Sequence, residues 1–182
     1  MQTKILIIGS DKSPKEEVAK SLCAVNDRLQ IAPVFTTDLR MRDKKQDGSQ
    51  YYMPNEEVEL SYKNNAFMWV WTDSKISRGV TMPDMYSYNI FTLTFNEFNN
   101  ISNPVLKEID NSSDLILVVL DEGLTKKDNI CIREANNAFE RIYEHHYLYF
   151  LDERVQDIVE CILKYIVSSE DERKAIEETL NE

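Results

Sequence analysis

The stretch Gly9-Ser10-Asp11-Lys12-Ser13-Pro14-Lys15-Glu16 joins an apolar run to a helical pattern, with a glycine at its start and a lysine at its end. That layout is the phosphate-cradling loop G-x-x-x-x-G-K-[S/T], in which backbone N–H groups and a lysine surround an anion. Gly9 and Lys15 take the first glycine and lysine places, so both are candidate nucleotide contacts and Lys15 is also a candidate catalytic cation. Pro14 replaces the second glycine, which removes an N–H and fixes φ near −65°. Glu16 replaces the hydroxyl that would hold Mg²⁺, and puts a carboxylate where a helix N-terminus would attract phosphate. Two readings stand side by side. One is weakened ATP binding through Lys15; the other is an ordinary strand-to-helix turn, with Ser13 as N-cap and Glu16 completing a capping box.

Other chemistry is narrowed by composition. The chain has 32 acidic and 21 basic residues and a formal net charge of −11. Such a chain repels nucleic acid and anionic membranes unless a basic patch stands apart. The local cluster Arg40, Arg42, Lys44 and Lys45 is broken by Asp38, Asp43 and Asp47, so neither partner is expected. A small anion held by one or two arginines remains compatible. Cys23, Cys131 and Cys161 are widely spaced within apolar helical patterns, which suits free thiols in a reducing compartment. No metal site is expected, and the adjacent His145 and His146 read more simply as a strand-edge pair than as ligands. Without a signal-like segment or a membrane-length apolar run, the reading is a soluble, cytoplasmic protein. Glycine is scarce: Gly9, Gly48, Gly79 and Gly123 are the only 4 in 182 residues.

The elements that must position these residues can be read from periodicity. Residues 4–8 form a continuous β-branched run, the pattern of a strand buried on both faces. A helix follows with Val18, Leu22 and Val25 as its stripe, then a strand over 31–37. Residues 38–77 are charged and aromatic with mixed short patterns, an excursion from the main sheet. Strands are expected at 90–95, 114–120 and 147–151, and a helix at 130–143. Val155, Ile158, Val159, Ile162 and Ile166 mark another helix. A separate acidic helix is expected over 168–182, with Ser169 and Glu172 as its capping box. Buried strands alternating with helices give a three-layer α/β fold on a parallel sheet with helices on both sides, whose ligands bind beyond the carboxyl ends of the strands.

Within the excursion, Thr36-Thr37-Asp38-Leu39-Arg40-Met41-Arg42, followed by Asp47-Gly48-Ser49-Gln50-Tyr51-Tyr52, resembles the monophosphate-binding region of guanylate kinases, T-T-R-x-x-R and then G-x-D-Y. Lys63-Asn64-Asn65-Ala66-Phe67-Met68-Trp69 is similar to that family's N-N-x-F-x-E segment, and Ser77-Arg78-Gly79-Val80-Thr81 to its Y-Y-G-x-x turn. The order of elements agrees to about residue 167. The resemblance implies a P-loop nucleoside monophosphate kinase fold, with core 1–37 and 78–167 and a small inserted monophosphate-binding region at 38–77.

By the same resemblance, Thr37, Arg40 or Arg42, and Tyr51 would hold a phosphate, Thr81 would keep a base-reading hydroxyl, and Arg133 would approach the transferred phosphoryl group. Asp38 stands where the family has its first arginine. Trp69 stands at the base-reading glutamate, where it either stacks on a ring or packs in the interior. Asn96 and Glu97 are nearest to the family's acidic residue after the next strand. The expected protein is a guanylate-kinase-like chain with a degenerate loop and impaired catalysis, binding a nucleoside monophosphate or a phosphorylated protein partner. The alternative is a working monophosphate kinase of altered base choice, using ATP and Mg²⁺. A purely structural subunit, contacting through its acidic tail, is a third possibility.

Overall fold

A computed structural model describes residues 3–43, 50–73, 75–82, 88–101, 115–120, 147–151 and 153–180. Arg133, Gly48, Gly123, the helix expected at 130–143 and the histidine pair lie outside these residues.

Four strands form a wholly parallel sheet: β1 (Lys4–Gly9), β6 (Ile90–Thr94), β7 (Leu115–Leu120) and β8 (Tyr147–Phe150), in the order β6-β1-β7-β8. The reason is visible in their side chains. Every residue of β1 and β7 is buried, so both faces of these strands need a covering layer. Ile5 and Ile7, with Ile116, Val118 and Leu120, face one interior that also holds Val18, Ala19 and Leu22 of α1 (Lys15–Val25). Ile158, Ile162 and Ile166 of α4 (Val155–Leu180) complete that layer.

The opposite face carries Leu6, Ile8, Leu117 and Val119. It packs against a second sheet, made of β2 (Val34–Thr36), β3 (Gln50–Tyr52), β4 (Phe67–Asp73) and β5 (Ile76–Thr81), in the order β3-β2-β5-β4. Met68, Trp69 and Val80 supply its side of the core, joined by Phe98 of α3 (Phe95–Asn99). Helix α2 (Asn55–Lys63) contributes no buried residue. The three-layer α/β architecture is as expected, but the layer on this second face, expected to be helical, is among the described residues a four-stranded sheet with α3 beside it.

Three local expectations change. The strand expected over 31–37 is divided: Ile31 bridges Ile90 at the edge of the parallel sheet, and β2 then joins the second sheet. Pro33 lies between them and has no N–H to continue a ladder. The Ser13–Glu16 capping box is not formed. Pro14 is the cap of α1 with no side-chain cap bond, and the Ser13 hydroxyl instead donates to the Ser10 carbonyl at 2.9 Å. Finally, α4 runs unbroken from Val155 to Leu180, so Ser169 sits inside a helix. No glycine or proline interrupts residues 155–180, and a serine with a glutamate three residues on does not by itself start a helix.

Candidate functional site

The Gly9–Lys15 loop leaves the carboxyl end of β1 and turns back on itself. The Ser10 carbonyl accepts three bonds: from the Ser13 backbone N–H at 3.2 Å, from the Ser13 hydroxyl, and from Lys15 Nζ at 2.7 Å. Lys15 is only 4% exposed, and its ammonium also stands 3.7 Å from a Glu16 carboxylate oxygen. Glu16 itself remains exposed and does not fill the loop. Gly9 is needed because Ser13 presses against it: a Cβ here would lie 2.1 Å from Ser13 Oγ. Polar and cationic groups that could face an anion are therefore turned onto the loop's own backbone.

Beyond this loop, the carboxyl ends of β1 and β6 meet the second sheet, and two adjoining clefts open there. The smaller, about 120 Å³, is lined by Lys15, Glu16, Lys20 and Ile31 among others. The larger, about 400 Å³, is lined by Thr36, Asp38, Met41, Trp71, Ile76 and Asn96. Asp11, Gln50, Arg78, Thr94 and Glu97 line both. This is the place expected of a ligand in an open α/β sheet.

Thr94 and Glu97 are fixed by a reciprocal cap. The Thr94 side chain accepts from the Glu97 N–H at 3.2 Å, and Glu97 Oε2 accepts from the Thr94 N–H at 2.7 Å. Arg78, on β5, brings Nη1 to 3.9 Å from the other Glu97 oxygen, so a charge pair links the second sheet to α3. Sequence reasoning passed over Asp11, Gln50 and Thr94, and took Arg78 only as a substitution for tyrosine. The T-x-x-E spacing directly after β6 is the signal that could have marked Thr94 and Glu97 together.

Of the residues expected from the sequence, Lys15 lines the cleft. Asp38 and Arg40 form a bidentate pair, with Arg40 Nη2 at 2.6 Å and Nε at 3.0 Å from Asp38 Oδ2. Hydrogen bonding to Asp38, reinforced by its charge, raises the Arg40 pKa further above its ordinary value. The carboxylate that replaces an arginine is thus neutralised by its neighbour. Arg40 and exposed Arg42 flank Met41, at the wall of the larger cleft, and their short turn packs on β3. Tyr51 follows Gln50 in β3 and stands 6.4 Å from the Phe35 ring.

Thr37 serves the scaffold. Its N–H donates to the Ser77 carbonyl, and its hydroxyl accepts the Ser77 N–H at 2.8 Å, tying β2 to β5. Thr81 ends β5 opposite Phe67, three positions beyond Arg78. Trp69 is 2% exposed within the core, while half-buried Trp71 faces the larger cleft. The packing alternative therefore describes Trp69, whose indole N–H is buried without a partner among the described residues.

No described helix is long and apolar enough to cross a membrane, and no group of three metal-binding side chains occurs among the described residues. Compared by sequence, the chain matches no family profile and no curated protein. Compared by structure, it is similar to the guanylate kinase from Anaplasma phagocytophilum, with a TM-score of 0.56 and 12% sequence identity over 92% of this chain and 86% of that one. At that identity the likeness speaks for the scaffold: the chain has a guanylate-kinase-like fold.

Proposed function

We propose that this protein is a catalytically impaired, cytoplasmic relative of the guanylate kinases that binds a nucleotide or a phosphorylated partner through the monophosphate side of its cleft. The observation that carries the reading is the Ser10 carbonyl. It engages Lys15 Nζ at 2.7 Å and both donors of Ser13, so these groups are directed away from any incoming phosphate. Pro14 supplies no N–H, and Glu16 offers an anion where the family places a metal-binding hydroxyl. These residues do not fit ATP–Mg²⁺. Phosphoryl transfer depends on positive charge and positioning around the γ-phosphate. A lysine held against a carbonyl and beside a carboxylate gives little of either.

On the other side, pairing of Asp38 with Arg40 removes the charge that would oppose a phosphate. Arg42 follows Met41 at the wall of the larger cleft, and a guanidinium suits a phosphate group. Tyr51, opposite Phe35 and next to Gln50 on β3, lies on the other face of that strand. The second reading, a working monophosphate kinase of altered base choice, draws on Lys15, Thr94 and Glu97 lining one cleft. A radiolabel transfer assay with ATP–Mg²⁺ and each of GMP, AMP, UMP and CMP separates the two. No labelled diphosphate is expected from any acceptor, and steady turnover of one of them, abolished by Arg42→Ala, establishes the second reading instead.

A further inference from the structure

The second sheet has another face, turned away from the cleft. Trp71, Ile76 and Arg78 line the larger cleft, so Val70, Thr72 and Ser77, which alternate with them, point to the opposite side. Helix α2 lies over that side without burying any residue. A groove of about 340 Å³ remains between them, bounded by Val58, Glu59 and Tyr62 of α2 and by Val70, Thr72 and Ser77 of the sheet.

The groove runs beside an open sheet edge. Strand β4 is the last in the order β3-β2-β5-β4. Ser77 directs its main-chain groups to the β2 side: its N–H donates to Thr37 Oγ1 at 2.8 Å, and its carbonyl accepts the Thr37 N–H at 3.0 Å. In an antiparallel pair, residues directly opposite either exchange both bonds or both turn away. Thr72 lies opposite Ser77 and Val70 opposite Gly79, two positions on, so Val70 and Thr72 turn their N–H and C=O groups to the free edge. No described element outside the strand ladder bonds to them. From Phe67 to Thr72 the strand carries no charge and no proline, the residues that commonly guard an edge.

We propose that the β4 edge and the α2 groove capture an extended, lysine- or arginine-rich segment of a partner protein as a fifth strand of the second sheet. Main-chain bonds to Val70 and Thr72 hold the segment, and its alternate apolar side chains enter the groove. Charge selects it. Glu56, Glu57 and Glu59 are exposed on α2 and unpaired among the described residues, against Lys63 as the one cation of that helix. The net charge of −11 steers cationic partners toward the same surface. A second copy joined edge to edge would bring its own three glutamates against these. The chain's own acidic end is helical to Leu180, so it offers no strand. This surface is independent of whatever the cleft holds.

Panning a random dodecapeptide library displayed on phage against the full chain tests the proposal. Enriched peptides are expected to carry net positive charge with alternating apolar residues. Their synthetic forms are expected to bind with dissociation constants of about 1–100 μM by fluorescence anisotropy. Thr72→Pro removes an N–H that faces the free edge, so the β4–β5 ladder keeps its bonds. It is expected to weaken binding about tenfold. Glu57→Lys combined with Glu59→Lys changes only exposed side chains, and is expected to weaken binding about tenfold and to reduce its sensitivity to salt. Both variants are expected to melt close to the parent. Neutral or acidic enriched peptides, undiminished binding by both folded variants, or no enrichment at all overturns the proposal. A parent that sediments as a dimer and a Thr72→Pro variant that sediments as a monomer overturn it in favour of a second copy.

Discussion

One backbone carbonyl, that of Ser10, decides how the loop after β1 behaves. Bonds to a cation and to two donors of Ser13 hold Lys15 buried, where a long side chain would otherwise be free to reach a ligand. Pro14 and Glu16 were legible in the sequence as departures from a phosphate loop. The direction of the Ser13 hydroxyl was not, because the same residue can cap a helix or bond backwards at similar cost. Close approaches fix two glycines. At Gly79 a Cβ would lie 2.3 Å from the Trp69 carbonyl oxygen and 2.7 Å from the Phe35 ring, with backbone on one side and a fully buried aromatic on the other. Gly79→Ala is expected to lower stability by about 1–3 kcal/mol, read as a lower urea midpoint with an unchanged slope. Gly9→Ala is expected to destabilise as well, because a Cβ there would also meet Ser13 Cβ at 2.8 Å, which side-chain rotation cannot relieve, and turning Ser13 Oγ away forfeits its bond to Ser10.

At the scale of elements, the parallel sheet was readable because its strands are short apolar runs with no competing pattern. The β4–β5 hairpin was not. Phe67 to Asp73 mixes aromatic and polar residues, a bulge shifts the register between Phe67 and Trp69, and β5 finds its second partner in β2, some 40 positions earlier. Such pairing is a property of tertiary contact, which local periodicity does not carry. The expected break at Ser169 failed for the opposite reason: a cap-like spacing lay inside a helix whose first half is anchored by Ile158, Ile162 and Ile166. The cap that does form, Thr94 with Glu97, starts α3 and sets the carboxylate at the cleft. Thr94→Ala is expected to cost about 1 kcal/mol in chemical denaturation.

For the molecule as a whole, a fold shared at 12% identity with a guanylate kinase shows how little of a sequence the scaffold needs. Apolar residues at the right period in β1, β6, β7, α1 and α4 suffice to stack the layers, and the site residues are free to change. That is why the candidate site was only partly legible. Lys15 and the Asp38–Arg42 stretch stand in recognisable local patterns, whereas Arg78, Glu97 and Asp11 converge from β5, α3 and the loop after β1. The cleft they line keeps a ligand-sized space at the strand ends, while the loop that would hold a nucleotide triphosphate is closed on its own backbone. Calorimetric titration of ATP–Mg²⁺ into the protein tests that asymmetry most directly. The account predicts no saturable heat up to about 1 mM nucleotide. A micromolar dissociation constant that disappears in Lys15→Ala would contradict it.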